Sequence, residues 1–193
     1  MGQALLEEDH EAVGRLLDEL RAKLRAGTKV ETAYESLDML WARLAVHIRA
    51  EHLCLFPAVL KAAARGRFDE RQEEGAAAHA SAESAVERLR ADHDFFMREL
   101  AASINTLRGL LSDGKRRAVE AEMEGVRCAV EAVAARLVEH NALEEEQVYR
   151  WAQQLPPAEQ TQLAADIRRE LANLPPRFDD RNPPARGQHL PAL

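Results

Sequence analysis

Hydrophobic residues recur every three or four positions through four long stretches of the chain. The stretches cover about residues 4–25, 29–64, 76–112 and 115–154. In the first, the repeat is carried by Leu6, Val13, Leu17, Leu20 and Leu24. This spacing places apolar side chains on one face of an α-helix. The pattern therefore predicts four amphipathic helices that pack nearly parallel or antiparallel.

Short, glycine-containing connections separate these stretches, near Gly27, Gly66 and Gly114. Helices joined in this way pack as antiparallel neighbours, so we predict an all-α, up-down-up-down four-helix bundle. A short extra C-terminal helix is expected over about 158–171, after Pro156 and Pro157. The predicted domain spans 1–172. The Pro-rich remainder, 173–193, is expected to be disordered or to wrap the domain.

The charge balance narrows the class of partner. The 26 Lys and Arg against 33 Asp and Glu give a net charge of −7, which argues against a nucleic acid or an anionic membrane as a partner. No apolar run approaches the about 20 residues of a membrane span. The first residues lack the pattern of a signal peptide, and Cys54 and Cys128 form no CxxC motif. We therefore expect a cytoplasmic protein, and the oligomeric state stays open.

Each apolar face is interrupted by a histidine, and two faces also carry a glutamate. The six residues are His10, His47, Glu51, His93, His140 and Glu144. In the two HxxxE pairs the four-residue spacing stacks both side chains on one helix face. At about 1.5 Å per residue, the histidines also lie at similar heights along the predicted bundle. We therefore predict that the six side chains converge at one level of the core.

Two buried carboxylates would be costly without compensating charge, and bound metal is the natural compensation. Imidazole nitrogen and carboxylate oxygen suit iron, manganese or zinc. A glutamate on each of two opposite helices could bridge two ions, with a hydroxide or oxide as a further bridge. A single histidine on an apolar face is more often a structural core residue, but one on each of four helices predicts a metal site.

The other histidines fit this site less well. His52 is five residues after His47 and is predicted to point off the shared face, at the rim or in solvent. His79 lies about 21 Å along the helix from His93, too far to share a metal. His189 lies in the tail. We predict that none of the three is a ligand.

At these positions the chain resembles the hemerythrin-like (HHE cation-binding) family over about residues 4–155. The similarity is carried by Glu8-Asp9-His10, by His47-x3-Glu51 followed by Leu55-Phe56-Pro57, by Asp92-His93, and by His140-x3-Glu144-Glu145-Glu146. The resemblance implies a four-helix bundle that holds two non-haem iron ions with an oxo or hydroxo bridge. It also implies that His10, His47, His93 and His140 are terminal ligands and that Glu51 and Glu144 bridge. Other divalent metals could bind in vitro.

The chain departs from the oxygen-carrying hemerythrins, which have a fifth histidine from an HxxxH pair on the third helix. Leu89 and Met97 occupy the positions four residues before and after His93. Four histidines and two glutamates resemble instead the bacterial iron-centre repair proteins and the iron- and oxygen-sensing domain of a ubiquitin-ligase subunit. With fewer ligands, each metal would keep an open position, which favours reaction with small molecules over simple oxygen transport.

Three functions remain open from the sequence. The first is a di-iron protein that senses or handles iron, dioxygen or nitric oxide. The second is a di-iron enzyme, such as a nitric-oxide or peroxide reductase or an iron-centre repair protein; a ferritin-like oxidase is disfavoured because only Glu7-x2-His10 matches its ExxH pattern. The third is a metal-free helical bundle that acts as an interaction module.

Overall fold

The protein is described here by a computed structural model. The structure describes residues 2–65, 72–113, 119–175 and 178. The α-helices are α1 (Gly2–Arg25), α2 (Val30–Ala50), α3 (Phe56–Ala64), α4 (Gln72–Asp113), α5 (Val119–Leu143), α6 (Tyr149–Gln153) and α7 (Pro157–Leu171). Two π-helical segments join consecutive helices: π1 (Glu51–Leu55) between α2 and α3, and π2 (Glu144–Val148) between α5 and α6. The second and fourth predicted helices are therefore continuous, but each contains one wide turn.

Four long helices form the bundle. The helix α1 packs against α2 and α5, and α4 also packs against α2 and α5. Each helix thus has two neighbours in a closed ring, which confirms the predicted bundle. The extra helix α7 lies outside this ring against α1, α2 and π1.

Two buried apolar regions fill the bundle, one on each side of a polar layer. Core 1 lies towards the α1–α2 connection and includes Val13, Leu44, Phe96 and Leu137. Core 2 lies towards the opposite end and includes Leu6, Leu55, Leu89 and Val148. Along α1 and α4 the chain passes from core 2 to core 1, whereas along α2 and α5 it passes from core 1 to core 2. This alternation establishes the up-down-up-down order.

The predicted apolar faces are largely buried. The residues of the first predicted face, from Leu6 to Leu24, are at most 7% exposed. The same three- and four-residue repeat on the second and fourth predicted helices includes four residues that are only half-buried: Cys54, Val119, Met123 and Trp151. Three of them lie near an end of the bundle, where fewer neighbours cover a side chain.

Gly27 ends the first helix through a backbone conformation that favours glycine. Its φ angle is +69°. The N–H of Gly27 donates to the carbonyl of Leu24, and the N–H of Thr28 donates to that of Lys23. This pair of bonds is a Schellman motif, which satisfies the last carbonyls of a helix. The chain can therefore reverse into α2 within a few residues.

The C-terminal region starts as the sequence predicts. The helix α7 begins at Pro157, one residue before the predicted start, with Glu159 in its first turn. Arg49 anchors it to the bundle, since its Nε lies 2.9 Å from Glu170 Oε2. Most of the predicted Pro-rich tail lies outside the described residues, as do the predicted connections at Gly66 and Gly114. None of the described helices combines the length and hydropathy that crossing a membrane requires.

Candidate metal centre

The polar layer between the two cores contains all six residues that the sequence selects. Glu51 and Glu144 are 0% exposed, and His47, His93 and His140 are at most 2% exposed. His10 is also buried. The four long helices thus each deliver at least one polar side chain to the same level, because all four apolar faces point at the bundle axis.

These side chains form two groups that could each hold one metal ion. Ligand group 1 consists of His10, His47, Glu51 and Glu144, and ligand group 2 consists of Glu51, His93, His140 and Glu144. Within each group the candidate ligand atoms lie within 4.8 Å of one another. Both glutamates belong to both groups.

The two oxygens of each glutamate are divided between the groups. Oε1 of Glu51 lies 3.0 Å from His47 Nε2, and its Oε2 lies 3.2 Å from His93 Nε2. Oε2 of Glu144 lies 3.1 Å from His10 Nε2, and its Oε1 lies 3.6 Å from His140 Nε2. Each carboxylate therefore spans two histidine pairs, as a bridging ligand must.

These close contacts lack the geometry of hydrogen bonds. Both oxygens of Glu51, both oxygens of Glu144 and Nε2 of His47 are buried without a hydrogen-bond partner among the described residues. Leaving such groups unsatisfied is costly. Bonds of about 2.0–2.2 Å from one cation would hold its ligand atoms about 3–4 Å apart, which matches the measured separations. The donor set and its spacing therefore fit a pair of metal ions.

Both glutamates lie at the first position of a wide helical turn. The N–H of Phe56 donates to the carbonyl of Glu51, and the N–H of Tyr149 donates to that of Glu144, five residues back in each case. The wide turn π1 is followed by Pro57 in the first turn of α3, whereas no proline follows π2 until Pro156. Turns of this kind are rare and occur frequently at functional sites. Here they set the position at which each carboxylate enters the core.

A comparison with protein families agrees with this geometry. Residues 1–152 match the model of the hemerythrin HHE cation binding domain. The chain belongs to the hemerythrin HHE cation-binding family. No curated protein and no solved structure matches the chain significantly. The family assignment and the buried His and Glu groups together support metal binding by this domain.

Two aspartates of the HHE domain contact the ring nitrogens of His47 and His140 that face away from the site. The sequence patterns did not predict this role. Asp9 Oδ2 lies 2.9 Å from Nδ1 of His47, and Asp92 Oδ2 lies 3.4 Å from Nδ1 of His140. Both aspartates are buried. A carboxylate at Nδ1 keeps the proton there and leaves Nε2 free for a metal. Each aspartate therefore orients a histidine on a neighbouring helix.

Arginines complete these two arrangements. Arg43 donates to Oδ1 of Asp9, and Arg136 Nε lies 2.6 Å from Oδ1 of Asp92. The sequence carries a signal for this: Arg-x3-His-x3-Glu occurs both at 43–51 and at 136–144, and Asp-His occurs both at 9–10 and at 92–93. The domain thus repeats one ligand arrangement twice, once from α1 and α2 and once from α4 and α5.

His52 lies at the rim, as predicted, but it contacts a candidate ligand. Its side chain is half-buried, and its Nε2 lies 2.9 Å from Nδ1 of His93. The wide turn of π1 changes the angular position of the residues after Glu51, so spacing from His47 does not reveal this contact. The side chain of His79 and all of His189 lie outside the described part of the chain.

Aromatic rings enclose the layer. Phe56 stacks on His93 with ring centroids 5.9 Å apart, and Phe96 meets His140 edge-on at 5.3 Å. Tyr149 stacks on His10, and its hydroxyl lies 3.4 Å from His10 Nε2. Phe56, Phe96 and Tyr149 are 0% exposed, so they limit the access of water to the histidines.

The pKa values of three histidines shift in different directions, because burial lowers all three but nearby carboxylates outweigh it at His47. Burial, together with the nearby His47, lowers the pKa of His10 to about 3. Burial also lowers the pKa of His140 to about 4. Burial acts to lower the pKa of His47 as well, but Glu51 and Asp9 outweigh it and raise that pKa to about 10. At neutral pH without metal, His47 is charged whereas His10 and His140 are neutral.

The pKa values of the two glutamates are also shifted in opposite directions. Burial raises the pKa of Glu144 well above its usual value, and the adjacent Glu51 carboxylate acts in the same direction. Burial acts likewise on Glu51, but the charge of His47 outweighs it and holds that pKa well below its usual value. Without metal, the centre therefore pairs ionised Glu51 with charged His47, whereas the raised pKa of Glu144 favours its protonated form.

Proposed function

We propose that this HHE domain binds two iron ions through ligand groups 1 and 2 and thereby senses or handles iron, dioxygen or nitric oxide. The observation that carries the proposal is the division of the carboxylate oxygens. Glu51 and Glu144 each face a histidine on both sides, and no described side chain hydrogen-bonds to their oxygens. Two bridging carboxylates between two histidine pairs suit two adjacent cations.

The donor set favours a transition metal over magnesium or calcium. Four imidazole nitrogens and two carboxylates are the ligands of iron, manganese or zinc, whereas magnesium and calcium prefer oxygen ligands alone. The assignment to iron rests on the family resemblance. Two divalent ions would exceed the charge of two carboxylates, which leaves room for a further anionic ligand between them.

Each ligand group supplies two histidines and two glutamate oxygens, and the described part of the chain adds no fifth donor to either group. Leu89 is fully buried in core 2, and Met97 packs against core 1, so neither α4 neighbour of His93 adds an imidazole. A bound iron pair would supply redox chemistry and open coordination positions for small molecules. The residues of the site hold the donors in place and exclude bulk water. This arrangement supports reaction with a small diatomic ligand rather than simple transport.

The test is metal analysis of protein purified and reconstituted without air, with optical spectra before and after exposure to air. We expect about two irons per chain, one for each ligand group, and new absorption from coupled ferric ions after oxidation. Fewer than one iron per chain, with no such absorption, would refute the proposal. Competition with zinc and manganese under the same conditions tests the choice of metal.

Sensing and turnover can be separated on the same sample. A sensor reacts with nitric oxide or dioxygen up to the stoichiometry of its site and then stops. An enzyme continues when an electron donor or excess substrate is supplied. Repeated consumption of peroxide or nitric oxide would therefore favour the enzyme hypothesis over the sensor.

A further inference from the structure

The four histidines of the centre do not share one kind of support. Asp9 and Asp92 are buried carboxylates behind His47 and His140. His93 has instead the imidazole of His52, at 2.9 Å from its Nδ1. The two rings are tilted, with their centroids 5.0 Å apart.

The position of His93 determines which ring nitrogen carries the proton. Its Nε2 points into ligand group 2, 3.2 Å from Glu51 Oε2 and 3.1 Å from His140 Nε2. A histidine binds a metal through a nitrogen lone pair, so the proton must then lie on the other nitrogen, Nδ1. That N–H would be buried, and His52 Nε2 is the acceptor in front of it. His52 is thus placed to favour the form of His93 that presents Nε2.

The sequence position of His52 has a counterpart in the other half of the domain. His52 follows Glu51, and Glu145 follows Glu144. Oε1 of Glu145 lies 3.9 Å from Nδ1 of His10, which is beyond a hydrogen bond. The residue after each bridging glutamate therefore faces the histidine on the opposite half. In one half this residue is an imidazole and in the other it is a carboxylate, so the two ligand groups have different surroundings.

We propose that His52 is a positioning residue that orients His93 and tunes ligand group 2 without binding the metal itself. The inference rests on the proposed function, because it concerns how tightly one of two metal ions is held. Partners behind a ligating histidine typically change metal affinity by about 10–100-fold. Loss of the acceptor at residue 52 therefore weakens metal binding at group 2. Group 1 should be nearly unchanged, because the described structure shows no contact of His52 with its two histidines, His10 and His47.

The experiment compares His52→Leu, His52→Gln and a control, Leu53→Gln, with the wild type. Leucine removes the acceptor, whereas the side-chain oxygen of glutamine can occupy the place of the imidazole Nε2. Leu53 is 61% exposed on the same wide turn, so its change controls for disturbance of π1. Cobalt(II) is titrated into each metal-free protein, and anomalous diffraction at limiting cobalt shows which position fills.

We expect His52→Leu to lower the affinity for one of the two cobalt ions by about tenfold or more. At limiting cobalt, the anomalous peak should be lost at group 2 only. His52→Gln should bind close to wild type, and so should the control. Equal affinities in wild type and His52→Leu would overturn the inference, and so would His52→Gln being as weak as His52→Leu. Thermal unfolding of the metal-free variants distinguishes a local loss of metal affinity from a folding defect. A folding defect would lower the unfolding temperature and the affinities for both ions together.

The outcome also distinguishes this inference from the proposed function. If the wild type does not take up two ions, both are wrong. If the wild type takes up two ions and His52→Leu holds them equally well, only the role of His52 is wrong.

Discussion

Glu51 and Glu144 face each other across the bundle axis, and each belongs to both ligand groups. One oxygen of Glu51 lies 3.0 Å from His47 Nε2, and the other lies 3.2 Å from His93 Nε2. Glu144 makes the corresponding contacts with His10 and His140. The two ligand groups therefore share their carboxylates, whereas each histidine belongs to only one group. This difference between shared and unshared ligands leads to the first prediction.

Substitution of a shared ligand should affect both metal positions. We expect Glu51→Gln to reduce bound metal from about two ions per chain to fewer than one, because an amide is a weak bridging ligand. His140→Ala should lose the metal of group 2 first. Elemental analysis after reconstitution gives the stoichiometry. Glu146→Gln is the matched control, since Glu146 is exposed two residues after Glu144; a similar loss in this control would contradict the assignment.

The buried aspartates should matter for affinity although they are not ligands. Asp92→Asn is expected to lower the metal affinity of group 2 by about 10–100-fold. The reason is that the amide holds the proton of His140 at Nδ1 less strongly than the carboxylate does. Asp9→Asn should act in the same way on group 1 through His47. Competition with a chelator of known affinity measures both effects. Asp94→Asn, an exposed change two residues away, should bind metal as the wild type does.

Metal binding should release protons at neutral pH. The pKa of His47 is raised to about 10, so His47 is protonated in the metal-free protein and must lose a proton to act as a ligand. The pKa of Glu144 is raised well above its usual value, which favours its protonated form and adds to the proton release. The apparent affinity therefore rises with pH, by about tenfold per unit for each proton displaced. Calorimetric titration in buffers of different ionisation enthalpy counts these protons. An affinity that does not change between about pH 6 and 8 would contradict this account.

In the metal-free protein, substitutions of the two glutamates should have different effects on the free energy of unfolding. Burial raises the pKa of Glu144 well above its usual value and so favours its neutral form. Glu144→Gln should therefore change the free energy of unfolding little. Glu51 is ionised and faces charged His47, so Glu51→Gln should destabilise by about 1–3 kcal/mol. Chemical unfolding in the presence of a chelator measures both. Equal effects of the two substitutions would contradict the assigned charges, and no effect of Glu51→Gln with or without chelator would favour the metal-free interaction module.

Metal should stabilise the folded wild type. A ligand that binds only the folded state at 100 times its dissociation constant adds about 2.7 kcal/mol. We therefore expect a higher unfolding temperature after loading with iron or zinc, and its reversal by a chelator. The double variant Glu51→Gln, Glu144→Gln is the control, and it should show no increase with metal.

Local patterns in the sequence were sufficient for most of the fold. Residues such as Leu17, Leu40 and Leu100 follow the helical repeat and are all buried, because helix periodicity fixes which side of each helix is apolar. The same periodicity selected the six polar residues on those faces. The predicted bundle is confirmed by this packing and by the family match over residues 1–152.

The contacts made by the six residues could be identified only from the tertiary structure. The contact of His52 with His93 crosses from π1 to α4, and it depends on a wide turn that simple helical spacing does not describe. Asp9 reaches a histidine on α2 rather than its own neighbour in the sequence. Such contacts depend on how far helices approach and rotate, which side-chain packing decides.

The sequence by itself determined that four amphipathic helices carry histidines and glutamates on their buried faces. Only the tertiary structure decided that each carboxylate divides its oxygens between two histidine pairs, with two aspartates and His52 behind the rings. The physical reason is that the first property depends on local interactions along the chain and the second on contacts between distant parts of it. Periodicity along a helix follows from local backbone geometry, whereas the meeting of side chains from four helices depends on the packing of the whole bundle.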